Sequence, residues 1–329
     1  MITPDRFTNK MSGVIERFLM LCDKKGGPVK NFFACAALCA VILAIPNVSY
    51  AANARDYIPM PDGTFLFCTY FKHITANSLF ANGRKASNDF NLRQNIGIFR
   101  PVIYKNIGNA LVGDGGFIID PQALIPFGEA HLDGAAVGGA DFSTSGIGDP
   151  TVLATFWFVN DPKNKFWVGF SPYITLPLGK YNNHRTLNMG SNRWAIKPEL
   201  GVVKGFGEKV ILDLIINGEF YTDNDKFSDG TGTNLVKREQ DPVLGAEVHL
   251  SYDISKTWYA SIDYFYSRGG ESKLNGVRQK DTIDSHGLGI SLFWLIGTNN
   301  QLMVEYRDDF AVRNGPGTNT FGVRWAYFF

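Results

Sequence analysis

The chain closes on Phe321-Gly322-Val323-Arg324-Trp325-Ala326-Tyr327-Phe328-Phe329. Read with a period of two, Phe321, Val323, Trp325, Tyr327 and Phe329 share one face, while Gly322, Arg324 and Ala326 share the other. Successive side chains of a strand point to opposite sides, so this is a strand with one wholly apolar face and one face that tolerates a charge. That combination suits hydrocarbon on one side and water or polar partners on the other.

The same alternation recurs upstream. Val210, Leu212, Leu214 and Ile216 oppose Asp213, Asn217 and Glu219, and Leu244, Ala246, Val248 and Leu250 oppose Gly245, Glu247, His249 and Ser251. Trp258, Ala260, Ile262 and Tyr264 oppose Ser261 and Asp263; Leu288, Ile290, Leu292 and Trp294 oppose Gly287, Gly289 and Ser291; Leu302, Val304 and Tyr306 oppose Gln301, Glu305 and Arg307. The early strands alternate less cleanly, and Phe65 to Lys72 is nearly all apolar or aromatic. From Thr64 onward the chain divides into about twelve segments of roughly 10 to 14 residues, the length a tilted strand needs to cross hydrocarbon.

The connections alternate in length. Short polar turns are expected near 105–109, 160–165, 205–208, 253–256 and 297–300, and longer Gly-, Asn-, Ser- and Asp-rich stretches near 74–88, 121–146, 179–191, 222–238 and 268–280. The last, at 313–317, is short. Alternating short and long connections with both chain ends on one side predict an all-β, transmembrane antiparallel up-and-down β-barrel of about twelve strands, with short periplasmic turns and longer extracellular loops. A soluble sandwich or propeller also has short alternating strands, but nothing in it would make short and long connections alternate so regularly. Aromatic residues near strand ends, such as Trp194, Trp258, Trp294 and Trp325, suit interfacial girdles.

A continuous apolar run lies between Phe32 and Ile45, preceded by Lys24, Lys25 and Lys30 and followed by Ser49, Ala51, Ala52 and Ala54. It is shorter than the roughly 20 residues a spanning helix needs and reads as a secretory signal peptide. Cleavage after Ala51 would have Ser49 at the minus-three position, and cleavage after Ala54 would have Ala52 there. The leader ahead of the apolar run is long, and Met11 or Met20 are alternative starts. The expected organisation is a leader and signal peptide over 1–51, a periplasmic segment over 52–63 and the barrel over 64–329. Of the four cysteines, Cys22, Cys35 and Cys39 fall in the leader, which leaves Cys68 and excludes a disulfide framework or a cysteine metal site. The net charge of +1 argues against nucleic acid as a partner.

The ending at Phe329 looks like the C-terminal signature by which outer-membrane proteins are recognised for assembly. The stretch from Ala54 to Thr64 (Ala-Arg-Asp-Tyr-Ile-Pro-Met-Pro-Asp-Gly-Thr), followed by an aromatic first strand, resembles the outer-membrane family named for the meta-pathway of phenol degradation. Gly146-Ile147-Gly148-Asp149-Pro150, opening a strand, fits the same family. The resemblance implies a monomeric or trimeric barrel in the Gram-negative outer membrane, with phospholipid and lipopolysaccharide around it, serving passive uptake of small hydrophobic or aromatic compounds. It implies no enzyme. The alternatives are a structural or adhesive barrel and an outer-membrane lipid hydrolase.

With the apolar face outward, parity sends Arg93, Lys197, Glu199, Asp213, Glu219, Glu247, His249, Asp263, Glu305, Arg307 and Arg324 to the interior. Charges facing mid-bilayer would cost roughly 2 to 4 kcal/mol each for Arg or Lys, so these are the predicted lumen lining. Tyr173 and Tyr259 join them, with Tyr70, Trp157, Trp167 and Phe293. Both signs are present, which fits either structural ion pairs or a solute path lined by the same groups. His249 and Ser251 lie two apart on one face, a spacing a base and a nucleophile could use, but no third partner is evident. The acidic loop from Asp223 to Gly230 departs from the EF-hand spacing, and nothing else predicts a metal or cofactor.

Overall fold

The computed structural model describes residues 52–228 and 235–329. The predicted leader, with Cys22, Cys35 and Cys39, and the end of the acidic loop at Asp229 and Gly230 lie outside the described residues. Twelve long strands make the wall: β1 (Phe65–Ala76), β2 (Asn91–Ile103), β3 (Ile118–Asp133), β4 (Thr151–Asp161), β5 (Phe166–Thr175), β6 (Ala195–Phe206), β7 (Val210–Tyr221), β8 (Val243–Asp253), β9 (Trp258–Gly269), β10 (Ile283–Ile296), β11 (Asn300–Val312) and β12 (Asn319–Phe328). Each pairs antiparallel with its neighbours in sequence, and β1 pairs with β12 from Leu66↔Phe328 to Thr75↔Asn319, so the sheet closes. Phe65 and Phe329 exchange both backbone hydrogen bonds at 2.7 and 2.9 Å and complete the seam. Closure leaves the wall with no unpaired edge, which is what allows strands to stand in an apolar medium.

The alternation read from the sequence holds over β6–β12. Ile262, Ile290 and Leu244 point out and are exposed, while Ser261, Asp263 and Glu247 point in and are buried. Aromatic rings gather at the end carrying the chain termini, where Trp258 stacks on Trp294 at 5.0 Å and Phe65 meets Phe329 at 5.0 Å. At the opposite end Trp194, Phe220 and Phe310 are exposed.

Two stretches depart from the expected connections. Pro121–Asp133, expected inside a long loop, belongs to β3, a strand of 16 residues. Its two prolines hid it. Proline is tolerated because β3 changes partner along its length, pairing β4 from Ile119 to Leu124 and the short strand Phe142–Ile147 from Phe127 to Leu132. Pro126 sits in the switch and needs no N–H there, while its carbonyl accepts the Gly148 N–H at 2.9 Å. The connection from β2 to β3, expected as a short turn at 105–109, runs over 104–117 and pairs Lys105 and Asn106 back onto Ile119 and Ile118.

The long connections carry small sheets of their own. Asn82-Gly83 and Asn275-Gly276, both at positive φ, make the tight turns of two hairpins. Leu79, Phe90, Leu92, Leu132, Val137 and Leu187 bury one another beneath these loops and form an apolar cap at that end of the barrel. Asp149, within the motif that opens β4, accepts the backbone N–H groups of Gly179 and Ser191 at 2.8 and 2.6 Å and so ties down the loop over 176–194.

Candidate functional site

The segment ahead of β1 does not stand outside the barrel. Residues 52–57 run into the lumen, where Ala52, Ala54 and Tyr57 are buried, and only Pro61, Asp62 and Gly63 are exposed at the mouth. Of the expected segment over 52–63, residues 52–57 therefore lie in the lumen and 61–63 at its mouth. The physical reason is complementarity: Arg55, Asp56 and Tyr57 find partners around the ring that solvent would otherwise have to supply.

Arg55 lays its guanidinium 3.9 Å from the centre of the Tyr259 ring, reaches Asp253 at 2.7 Å and donates from Nε to Ser251 at 2.9 Å. Its backbone N–H donates to Asp213. Asp56 lies between Arg324 at 3.1 Å and Arg100 at 3.4 Å. Burial raises the Asp56 carboxyl, but the charges of Arg324 and then Arg100 outweigh it and hold the group below its ordinary value. The Tyr57 hydroxyl bonds Ser171 and Glu199, each at 2.9 Å, while the Trp157 indole donates to the Tyr57 carbonyl at 2.8 Å. Asn53 bonds Glu305 and Arg324, each at 3.3 Å.

The ring of Tyr57 needs a slot. Gly169 and Gly201 face each other in the β5–β6 ladder, and a Cβ on Gly201 would lie 2.3 Å from the Tyr57 ring, one on Gly169 2.9 Å from it. Glycine is required at this pair because a ring lies flat against the backbone.

Most of the predicted lumen residues do point inward. Lys197, Glu199, Asp213, Glu247, His249, Asp263, Arg324, Tyr173 and Tyr259 are all less than a tenth exposed, and Glu219, Glu305 and Arg307 share their parity. The structure brings them together as ion pairs and chains: Lys197–Glu199 at 3.0 Å, His249–Asp263 at 2.7 Å with Ser291 donating to the same carboxylate at 2.8 Å, and Glu305–Lys72 at 2.9 Å. Arg93 is the exception. Leu92, Gln94, Ile96 and Ile98 are the buried residues of β2, so Arg93 points out, its side chain 60% exposed near Asp133 at the loop end. Polar and apolar residues fall on both faces of β2, Gln94 with Leu92 and Ile96 on one and Asn95 with Phe99 on the other, so alternation carries no parity signal there. Ser251 bonds Arg55 and the Ile211 carbonyl, and His249 bonds Asp263, so the two do not form a base–nucleophile pair.

Sequence reasoning missed the plug residues Arg55, Asp56 and Tyr57, Arg100, which holds Asp56, and Lys72, which pairs with Glu305. The available signal was the Arg-Asp-Tyr cluster immediately before an aromatic strand, a group too polar to need a membrane and too short to fold alone.

Two spaces remain beside the plug. A vestibule of about 870 Å³ at the terminus end is lined by Ile58, Met60, Leu66, Tyr104, Trp258 and Phe328, among others. A cavity of about 30 Å³ lies deeper, against Tyr70, Ile98, Leu124 and Tyr173. Asp56 and Arg100 border both.

A closed twelve-strand antiparallel barrel with an apolar exterior and a polar, occupied interior has the architecture of an outer-membrane channel. The chain belongs to the family described as "Putative MetA-pathway of phenol degradation", whose model matches residues 76–325. It is similar to the crystal structure of an outer membrane channel from Pseudomonas putida F1, at 31% identity and a TM-score of 0.78, over 85% of this chain and 100% of that one. The transport unit of the autotransporter AIDA-I from Escherichia coli is similar in fold, with a TM-score of 0.52 and 8% identity over 92% of this chain and 99% of that one. Comparison with curated proteins finds no match.

Proposed function

We propose that the protein is a passive outer-membrane channel for small hydrophobic or aromatic compounds, gated by its own N-terminal segment. The observation that carries this reading is the interior surface of β1–β5. Cys68, Tyr70, Ile96, Ile98, Leu153 and Tyr173 make an apolar and aromatic strip inside the barrel, and Tyr70, Ile98 and Tyr173 of that strip line the deeper cavity beside the plug. Aromatic faces next to cations such as Lys197, 4.1 Å from the Tyr173 ring, suit a flat solute carrying a polar substituent. Membership of a family named for phenol degradation and likeness to a channel support the same direction.

In this reading the chain is exported by a cleaved signal peptide, the end with the termini lies in the periplasm, and the capped loop end faces outward among lipopolysaccharide. Phe329 presents the closing strand to the assembly machinery. The plugged lumen equally favours a structural barrel, so the decisive measurement is transport. Proteoliposomes should take up phenol or benzoate faster than protein-free liposomes, and removal of residues 52–58 should raise ion conductance in planar bilayers. If neither the intact nor the shortened barrel passes solute, the protein is a structural barrel.

A further inference from the structure

We infer that hydrolysis of the Ala51–Ala52 bond creates the group that locks the plug: the α-ammonium of Ala52, held inside the barrel by the Glu247 carboxylate. The Ala52 nitrogen lies 3.1 Å from Glu247 Oε2, and both residues are only 7% exposed. As an amide this nitrogen has one N–H to offer; as a chain terminus it has three and a full charge at neutral pH. The amide bond to Glu247 carries charge on the acceptor alone, whereas the ammonium brings a full opposite charge to the same buried carboxylate.

The packing of residues 52–54 decides between the two candidate cleavage sites. The Ala52 methyl belongs to the buried cluster with Tyr57, Trp157 and Val203, and Ala54, 2% exposed, packs with Tyr259, Phe293 and Met303. Asn53 between them bonds Glu305 and Arg324. Cleavage after Ala54 would delete all three, leaving apolar holes and a buried Glu247 without its Ala52 partner. Cleavage after Ala51 keeps every one of these contacts, and Ser49 and Ala51 put small residues where a signal peptidase reads them. The reaction needs only water: the C–N bond breaks, Ala51 leaves as a carboxylate, and Ala52 keeps the nitrogen as an ammonium. The lock is thus a product of processing, and it is independent of which solute the channel carries.

Two measurements on barrel purified from outer membranes of cells expressing the full chain test this. N-terminal sequencing should read Ala-Asn-Ala-Arg-Asp; a start at Arg55, or one ahead of Ala52, overturns the assignment. An amine-acylating reagent at neutral pH should label Ala52 at least about tenfold more slowly in the folded barrel than in the heat-unfolded chain, because labelling needs the plug to open. Glu247→Gln, which keeps the shape and removes the charge, should shed that protection and raise ion conductance, while Glu129→Gln, at an exposed outward position, should do neither. Barrel refolded from a chain acetylated at Ala52 should behave like Glu247→Gln. Heat-dependent gel migration confirms in each case that the barrel has closed. Unchanged protection and conductance in Glu247→Gln, with the barrel closed, would show that the terminal charge locks nothing.

Discussion

The wall has two unlike arcs. Inside β6–β12 the lumen face carries Lys197, Glu199, Asp213, Glu247, His249, Asp263 and Arg324, which pair with one another or grip residues 52–57. Inside β1–β5 Cys68, Tyr70, Ile96, Ile98, Leu124 and Leu153 form one buried cluster, with Lys72, Arg100 and Ser171 on the same face. Both arcs hold the plug by specific bonds, Arg324, Asp213 and Glu247 from the charged arc and Arg100, Trp157 and Ser171 from the other, but only the second adds a continuous apolar surface. The difference suggests that the apolar surface of β1–β5 accommodates what passes, while bonds from both arcs, most of them charged on β6–β12, keep the barrel closed.

The sharpest test of this division is a charge on each arc. Arg324→Ala should cost about 3 kcal/mol or more, because it leaves Asp56 buried with one fewer cation, and denaturant unfolding should report it. Arg93→Ala, on the outside of the apolar arc, should leave the unfolding midpoint where it was. Equal losses would erase the distinction between the arcs.

Next in size is the face assignment itself. Ile262, 63% exposed, should resist replacement by Arg at a cost of roughly 2 to 4 kcal/mol near the bilayer midplane. Ser261→Arg, at a site 4% exposed, should assemble better, since its charge can reach lumen water. Assembly is read from the heat-dependent gel shift, and equal tolerance would mean the exterior is not lipid-facing.

A smaller effect is expected where the plug meets the β5–β6 ladder. Gly201→Val would drive a side chain into the Tyr57 ring and should displace the plug, raising single-channel conductance several-fold with little change in barrel stability. Leu153→Ala, on the apolar arc, should instead change solute uptake and leave the plug seated.

The smallest effect is that of pH. The Asp56 carboxyl is held below its ordinary 3.8, so its grip is complete above that value and is lost only as the pH falls through the lower, folded one. Conductance of the closed channel should therefore stay flat from pH 7 to about 4 and rise only in stronger acid. Opening near pH 6 would assign the hold to another group.

Local pattern alone determined the strand count, the antiparallel order, most turns and the inward residues of β6–β12. These follow from period-two contrast between neighbours a few residues apart and from turn chemistry, both written in consecutive positions. Where the contrast vanishes the pattern misleads: mixed faces on β2 point Arg93 inward, and two prolines make Pro121–Asp133 read as a loop. Only the closed barrel decided what fills the lumen. The partners of Arg55, Asp56 and Tyr57 lie on strands roughly 40 to 270 residues away and converge only once the β1–β12 seam has formed. A six-residue stretch with no periodicity of its own cannot announce such a site, since its partners are set by the shape of a cavity that does not exist until the chain has closed around it.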